Sequence, residues 1–249
     1  MTAKSITRCI SGEYCQVGLL LPKFLSNFSL VISNAPLSKL ASGAYTLPDA
    51  ARLLRLPLPK LRAWVLGGDA AEALRHQGRG KDRTFDFYTL IELFTIGHLR
   101  THGLSWPTLR KARAELMEKF QTPHPFALEG LLLDGHRLLK ELGDETLLEL
   151  GSGGQTAFEK LIAPFCRRLD FDAVTKLASR FYPEGPEYGV VIDPHHAFGK
   201  PVISGTNITT EALACLIRGG EKIEDLAQDF RLEPEQVESA WEFERRLAA

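Results

Sequence analysis

The chain has 249 residues, of which 44% are hydrophobic and 24% are charged, so it can form one large or two small globular domains with an adequate core. No apolar run reaches the roughly 18 residues that a membrane-spanning helix needs, and the four scattered cysteines are typical of reduced thiols in a cytoplasmic protein. The formal net charge of −1 hides an asymmetry: residues 1–126 carry +8 (17 basic, 9 acidic) and residues 127–249 carry −9 (13 basic, 22 acidic). This polarity favours a polyanion as the partner of the first half.

The first 42 residues contain apolar stretches at 17–21 and 28–32 that follow basic residues, as in a secretory signal. Pro22 and Asn27 interrupt the apolar region, and no small-residue cleavage site follows it. We therefore expect residues 1–42 to be a poorly ordered extension, and we assign no function to them.

Residues 43–126 are predicted to form a helical domain that begins with two short helices. Leu47–Leu54 indicates one helix with a proline near its start, and residues 59–65 indicate another after a turn at Leu56–Leu58. Two short helices joined by about four residues are the pattern of a helix-turn-helix. Trp64 is expected to close this pair as a core residue.

A glycine-containing basic stretch at residues 75–83, followed by the alternating run Thr84–Phe87, predicts a β-hairpin wing. Two longer helices are predicted next, at Tyr88–Leu99 and Trp106–Phe120. This order of two short helices, basic wing and two longer helices resembles the MerR-type winged helix-turn-helix. The resemblance implies that residues 43–126 bind double-stranded DNA.

The cations of this region are the candidate DNA contacts, because lysine and arginine side chains neutralise phosphates. For each residue taken alone, a solvated surface charge is the simpler interpretation, but the cluster as a whole favours nucleic acid. A further basic group on the last helix, Arg110, Lys111 and Arg113, is interpreted as a solvated face. The candidate DNA-binding residues are Arg52, Arg55, Lys60, Arg62, Arg79, Lys81 and Arg83.

Residues 127–189 differ in texture from the helical region before them. Between residues 128 and 150, apolar runs separated by Asp-Gly and Gly-Asp turns predict a three-stranded β-meander. A helix is predicted from Gln155 to Leu169, and another short element at Phe171–Phe181. Pro183–Pro186 is interpreted as a linker into the last module.

Residues 190–249 begin with a β-like run at Val190–Ile192 and a tight basic turn before a second apolar pair. Three short helices are predicted to follow, the first capped by Thr209 or Thr210 and the third starting near Pro234. The run GKPVISGTNIT…IRGGEKIEDLAQDFRLEPEQVESA resembles the domain-of-unknown-function family 433, a small helix-turn-helix-like module often seen in antitoxins.

The order of these modules resembles the longer antitoxins of the VapB type, which are thought to pair with PIN-like or Mut7-C-like RNase toxins. The predicted fold class is mainly α with small β elements (α+β). It comprises a MerR-like winged helix-turn-helix at 43–126, a β-meander plus helix at 127–189 and a three-helix module at 190–249.

The third helix of the terminal module is acidic, so phosphate repulsion would oppose its insertion into a DNA groove. We therefore interpret Glu235, Glu238 and Glu242 as a partner-binding or dimerisation surface, which could cover the basic cleft of an RNase. The alternative is that the module only packs within the chain.

No catalytic residue, cofactor or metal site is predicted. His195 and His196 beside Asp193 could suggest a metal, but adjacent side chains point apart and no third ligand has suitable spacing. Several dispersed aspartates lack the clustering that a magnesium-dependent nuclease needs.

Three functions are therefore open. The leading one is a cytoplasmic antitoxin that represses its own operator as a homodimer and neutralises an RNase toxin, because two-fold symmetric operators imply a dimer. The alternative is a stand-alone winged-helix regulator, or an interaction protein without a toxin. A metal-dependent nuclease ranks last.

Overall fold

A computed structural model describes residues 43–66, 84–129 and 165–248, which all belong to one compact unit. Secondary-structure elements are labelled in chain order within these ranges. Four predicted features lie wholly or largely outside the described residues: the N-terminal extension, the basic stretch of the wing, the β-meander and the helix at Gln155–Leu169.

Two short helices open the described chain, α1 at Leu47–Leu54 and α2 at Leu58–Leu66, and both confirm the prediction. The Thr46 hydroxyl accepts a hydrogen bond from the Asp49 N–H, and the Asp49 carboxylate accepts one in return from the Thr46 N–H at 3.0 Å. This reciprocal capping fixes the start of α1. Arg55 ends the helix in the left-handed conformation, with φ 52°.

A small two-stranded sheet precedes the longer helices. In it, β1 (Tyr45–Thr46) pairs antiparallel with β2 (Thr84–Phe85). The strand predicted at Thr84–Phe87 is shorter than expected, because Asp86 leaves the sheet to cap the next helix with its side chain.

Two 15-residue helices follow, α3 at Phe87–Thr101 and α4 at Trp106–Phe120. Ser105 caps α4, and Gln121 ends it in the left-handed conformation. Leu109, among other residues, lies buried on the inner face of α4. The structure confirms both predicted helices and lengthens α3 at each end.

Four short antiparallel strands form a second sheet in chain order. Leu169 begins its first strand, whereas the prediction placed this residue at the end of a helix. The reason is a long-range partner, because the buried Leu169 pairs with Phe181 across the sheet. The strands are β3 (Leu169–Phe171), β4 (Ala178–Phe181), β5 (Val190–Ile192) and β6 (Pro201–Ile203).

The linker predicted at Pro183–Pro186 is a packed turn. Gly185 is buried, and a short 3₁₀ helix at Pro186–Tyr188 leads directly into β5. The Glu184 side chain is only 11% exposed, because two arginines bind it.

Three helices complete the chain as predicted, and Thr209 is the cap of the first because its hydroxyl accepts from the Ala212 N–H. A left-handed Arg231 ends the second, and Pro234 opens the third. The helices are α5 (Thr210–Arg218), α6 (Ile223–Phe230) and α7 (Pro234–Ala248).

The main hydrophobic core draws on both ends of the described chain. It contains Tyr45 from β1, Phe181 from β4 and Phe243 from α7. A smaller cluster around Leu213 and Val237 packs the terminal helices against Ile203 of β6. The predicted class, α+β, is confirmed, and the domain boundaries stay predictions. Within the part of the chain that the structure describes, no helix is both long and apolar enough to cross a membrane.

Candidate nucleic-acid and partner surfaces

Helix α2 presents two predicted DNA contacts, Lys60 and Arg62, to solvent. Neither forms an ion pair with a carboxylate among the described residues. The Lys60 ammonium lies 5.3 Å from the centroid of the Trp64 ring. Trp64 itself is buried against the edge of Trp106, with centroids 5.5 Å apart, which confirms its core role. Packing of Trp64 therefore orients α2 and leaves its cations outside.

Arg52 and Arg55 at the end of α1 are engaged by carboxylates from the C-terminal half. Arg52 Nη2 lies 3.7 Å from Glu244 Oε2, and Arg55 Nη2 forms an ion pair with Glu184. Both arginine side chains are about half exposed, at 52% and 49%. A phosphate could reach them, but it would compete with these carboxylates.

The wing cations predicted to contact DNA, Arg79, Lys81 and Arg83, lie outside the described residues. The structure therefore gathers the predicted cations of the helix pair on α1 and α2, and their relation to the wing stays a prediction.

Arg113 does not belong to a solvated basic face, which corrects the prediction for this residue. Its side chain is buried, with Nε 3.6 Å from Glu92 Oε1 and Nη2 donating to the Pro123 carbonyl at 2.8 Å. Glu92 is fully buried and also lies 3.3 Å from His124 Nδ1. These contacts hold α4 and the segment after it against α3. A buried charge that lost its partner would destabilise the fold. Lys111 stays at the surface.

The three predicted partner-binding residues, Glu235, Glu238 and Glu242, lie together along one groove beside α7. The groove has a volume of about 280 Å³, and Tyr188 forms part of its wall. Sequence reasoning missed the contribution of Tyr188 and Glu184, because their segment resembles a linker. The groove also involves Glu184, Val190, Ser239, Phe243 and Arg246.

Asp193 organises the region of the two predicted histidines. Its carboxylate accepts a hydrogen bond from the His195 N–H at 2.9 Å and another from Arg180 Nε at 3.1 Å, and it lies 3.1 Å from His196 Nδ1. Burial alone would raise the pKa of Asp193, but these hydrogen bonds and the charge interactions with His196 and Arg180 hold it below its usual value. His195 contributes its backbone and not its ring. Across the described ranges, no group of three or more His, Cys, Asp or Glu side chains is placed to hold a metal ion.

A second cleft, of about 290 Å³, separates α1 from the turn before β6. Phe198 stands at its edge, 75% exposed and in the left-handed conformation with φ 56°. The cleft is lined by two cations and their partners, since Lys200 pairs with Glu211 at 3.0 Å and Arg52 with Glu244. This charge balance gives no reason to assign an anionic ligand.

Comparisons with known proteins give one match to the terminal module and others to most of the chain. The model of a family described as "Protein of unknown function (DUF433)" matches residues 190–243, which confirms the resemblance of the terminal module. "Putative antitoxin VapB45" of Mycobacterium tuberculosis is 25% identical over 222 residues, covering 79% of this chain and 91% of that protein.

The crystal structure of Rv2018 from Mycobacterium tuberculosis is similar in fold, with a TM-score of 0.63 and 21% sequence identity. The match covers 79% of this chain and 96% of that one. The likeness extends well beyond the terminal module, and at this identity it concerns the fold alone.

Proposed function

We propose that this protein is the antitoxin of a type II toxin-antitoxin pair. It binds operator DNA as an autorepressor and neutralises a PIN-like or Mut7-C-like RNase toxin in the cytoplasm. One observation carries the proposal: the similarity to a protein named as an antitoxin spans 91% of that protein's length and is not confined to the terminal module.

The helix pair supports the DNA-binding part of the proposal. Lys60 and Arg62 lie on the solvent side of α2 without carboxylate partners among the described residues. An exposed helix with unpaired cations suits contacts to phosphates and base edges. Arg52 and Arg55 would add phosphate contacts by exchanging their carboxylate partners for DNA. The MerR-like wing, with Arg79, Lys81 and Arg83, completes the proposed interface.

The acidic C-terminal half supports a protein partner. Glu235, Glu238 and Glu242 face one groove on α7, where their charge would repel a phosphate backbone. An RNase must attract RNA, so a basic surface on the toxin would complement this groove. Repression of a symmetric operator would use a homodimer. Catalysis has no part in this proposal.

Toxin neutralisation can be tested by expressing the neighbouring gene with and without this protein. We expect the neighbour to arrest growth alone, and co-expression to restore growth and to yield a complex that copurifies. A non-toxic neighbour that does not copurify would refute the antitoxin proposal. If this protein then still binds DNA without a toxin partner, it is a stand-alone regulator.

Operator binding can be tested with the double variant Lys60→Gln/Arg62→Gln and a duplex of the upstream promoter. Each lost phosphate contact lowers the slope of log affinity against log salt by about one, so we expect the slope to fall by about two. Lys119→Gln/Lys222→Gln is the matched control, because it removes the same charge from exposed positions elsewhere. Equal losses in both variants would show that α2 is not the contact surface.

A further inference from the structure

The groove beside α7 combines an exposed aromatic ring with carboxylates. Tyr188 is 44% exposed at one wall, and the acidic face of α7 forms the other. Two buried side chains, Val190 and Phe243, supply apolar surface at its base. Most large apolar side chains of the described chain are covered, so an exposed tyrosine beside a groove is a feature that a partner can use.

The Tyr188 wall is held in place before any partner arrives. Glu184, at the start of its turn, forms ion pairs with Arg55 from α1 and with Arg246 from α7 at 3.1 Å. The Tyr188 N–H donates to the Gly185 carbonyl at 3.2 Å, which closes the turn. Contacts from two separate helices thus fix the groove's geometry, and a preformed surface binds at a lower entropic cost.

The carboxylates at one end of the groove are paired with an arginine, and those at the other end are not. Arg246 bridges Glu184 and Glu242. Glu235 and Glu238 are exposed and form no ion pair within the described residues. Glu235 lies in the first turn of α7, where the helix dipole favours a carboxylate, but Glu238 lies beyond that turn and has no such local reason.

Within the groove, Arg246 already makes the kind of contact that a basic partner residue would make, to an aromatic ring and to carboxylates. The Arg246 guanidinium lies 5.9 Å from the centroid of the Tyr188 ring while Glu184 and Glu242 bind its nitrogens. An arginine that stacks on an aromatic ring between carboxylates is well placed for both cation–π and ionic contacts. The unpaired end presents Glu235 and Glu238, three positions apart on α7, to a second cation.

We propose that this groove binds a basic, partly apolar segment of the partner protein. A lysine or arginine of that segment lies between Glu235 and Glu238, and an apolar neighbour packs against Tyr188. The inference rests on the proposed function for the identity of the partner, which is the toxin. For the chemistry of the segment it rests on the unpaired carboxylates and on the exposed Tyr188 ring.

A synthetic probe tests the groove without the toxin. The full chain is titrated into a short fluorescein-labelled peptide of Arg-Gly-Leu repeats, and binding is followed by fluorescence anisotropy. We expect Glu235→Gln/Glu238→Gln to weaken binding about five- to tenfold, because two exposed charge contacts are lost. Tyr188→Ala should also weaken it. Glu221→Gln/Asp229→Asn removes the same charge from exposed sites off the groove and should bind as the wild type does.

The outcomes separate this inference from the proposed function. Three results would overturn the proposal that the groove binds a basic segment. They are a peptide that does not bind, a peptide with Glu in place of Arg that binds equally well, and a control variant that weakens binding equally. If Glu235→Gln/Glu238→Gln still rescues cells from the toxin as well as the wild type does, the groove fails while the antitoxin function stands. If the peptide binds through these residues and the neighbour is harmless, the groove stands and the antitoxin function fails. Self-association that the double variant abolishes, without peptide binding, would assign the groove to a second copy of this chain and overturn the inference.

Discussion

At the scale of single residues, buried charged side chains connect separate secondary-structure elements. Asp193 ties β5 to β4 through Arg180 and also fixes the turn that carries His195 and His196. Its side chain is only 9% exposed, so water cannot readily replace a lost hydrogen bond, and the loss costs stability. The depressed pKa of Asp193 shows that the folded protein favours the ionised form.

The charge on Asp193 should therefore make stability depend on pH. The folded-state pKa lies below the unfolded one, so its contribution is fully present above about pH 4 and is lost as pH falls through the folded pKa. We expect Asp193→Asn to lower the free energy of unfolding by about 2 kcal/mol at pH 7, and the difference to shrink as pH falls below about 4. Urea denaturation at several pH values measures it, with Asp229→Asn as the exposed control. A difference that stays constant with pH would contradict the ionic origin.

Residue roles were only partly readable from the sequence. Arg113 shares the helical spacing of the apolar residues Leu109, Ala112 and Leu116, and this spacing is the signal that it points inward. Its basic neighbours, Arg110 and Lys111, favoured the opposite interpretation. The buried partner Glu92 lies on another helix, and no local pattern reveals such a pairing.

At the scale of elements, the helices were predictable and the middle strands were not. Periodic apolar residues mark α1, α4 and the three terminal helices along the chain itself, and side chains cap the starts of α1, α4 and α5. Strands β3 and β4 have three and four residues, and their pairing partners define them more than their sequence does. The Glu184–Tyr188 wall of the groove escaped prediction for the same reason, since Glu184 and its partner Arg55 are 129 positions apart.

The shared carboxylate of Glu184 joins three elements, and its removal should loosen them together. We expect Glu184→Gln to lower the free energy of unfolding by about 1 kcal/mol, a modest loss because Arg55 and Arg246 are both about half exposed. Chemical denaturation measures the effect. Glu187→Gln, on the same turn and without an ion pair in the described chain, is the matched control. Identical stabilities of the two variants would mean that these ion pairs contribute nothing net.

At the scale of the whole molecule, the boundary of the matched family model is not a boundary of the core. The match begins at residue 190, yet β5 pairs with β4 across that point, at Ile192 and Phe181. Val190 and Phe243 also belong to the core that contains Tyr45. The N-terminal helix pair therefore depends on residues from the far end of the chain.

Removal of residues 190–249 should leave a chain without a stable fold. Burial of Val190, Ile192 and Phe243 contributes about 1.5–3 kcal/mol each, and their sum is comparable to the whole stability of a typical domain. We expect the truncated chain to lose its cooperative thermal transition in far-UV circular dichroism and to be digested rapidly by trypsin. A cooperative transition close to that of the full chain would show that residues 1–189 fold independently.

The edge-on contact between Trp64 and Trp106 gives the molecule a built-in optical reporter. The two indole rings, 5.5 Å apart and inclined by 78°, are held in a fixed asymmetric environment, so we expect them to contribute to the near-ultraviolet circular dichroism of the folded protein. The third tryptophan, Trp241, lies on α7, with the Arg245 guanidinium 6.0 Å from its ring. Spectroscopy can therefore follow the packing of α2 on α4 separately from events on α7, and can test whether either end of the protein responds when the proposed DNA or protein partner is added.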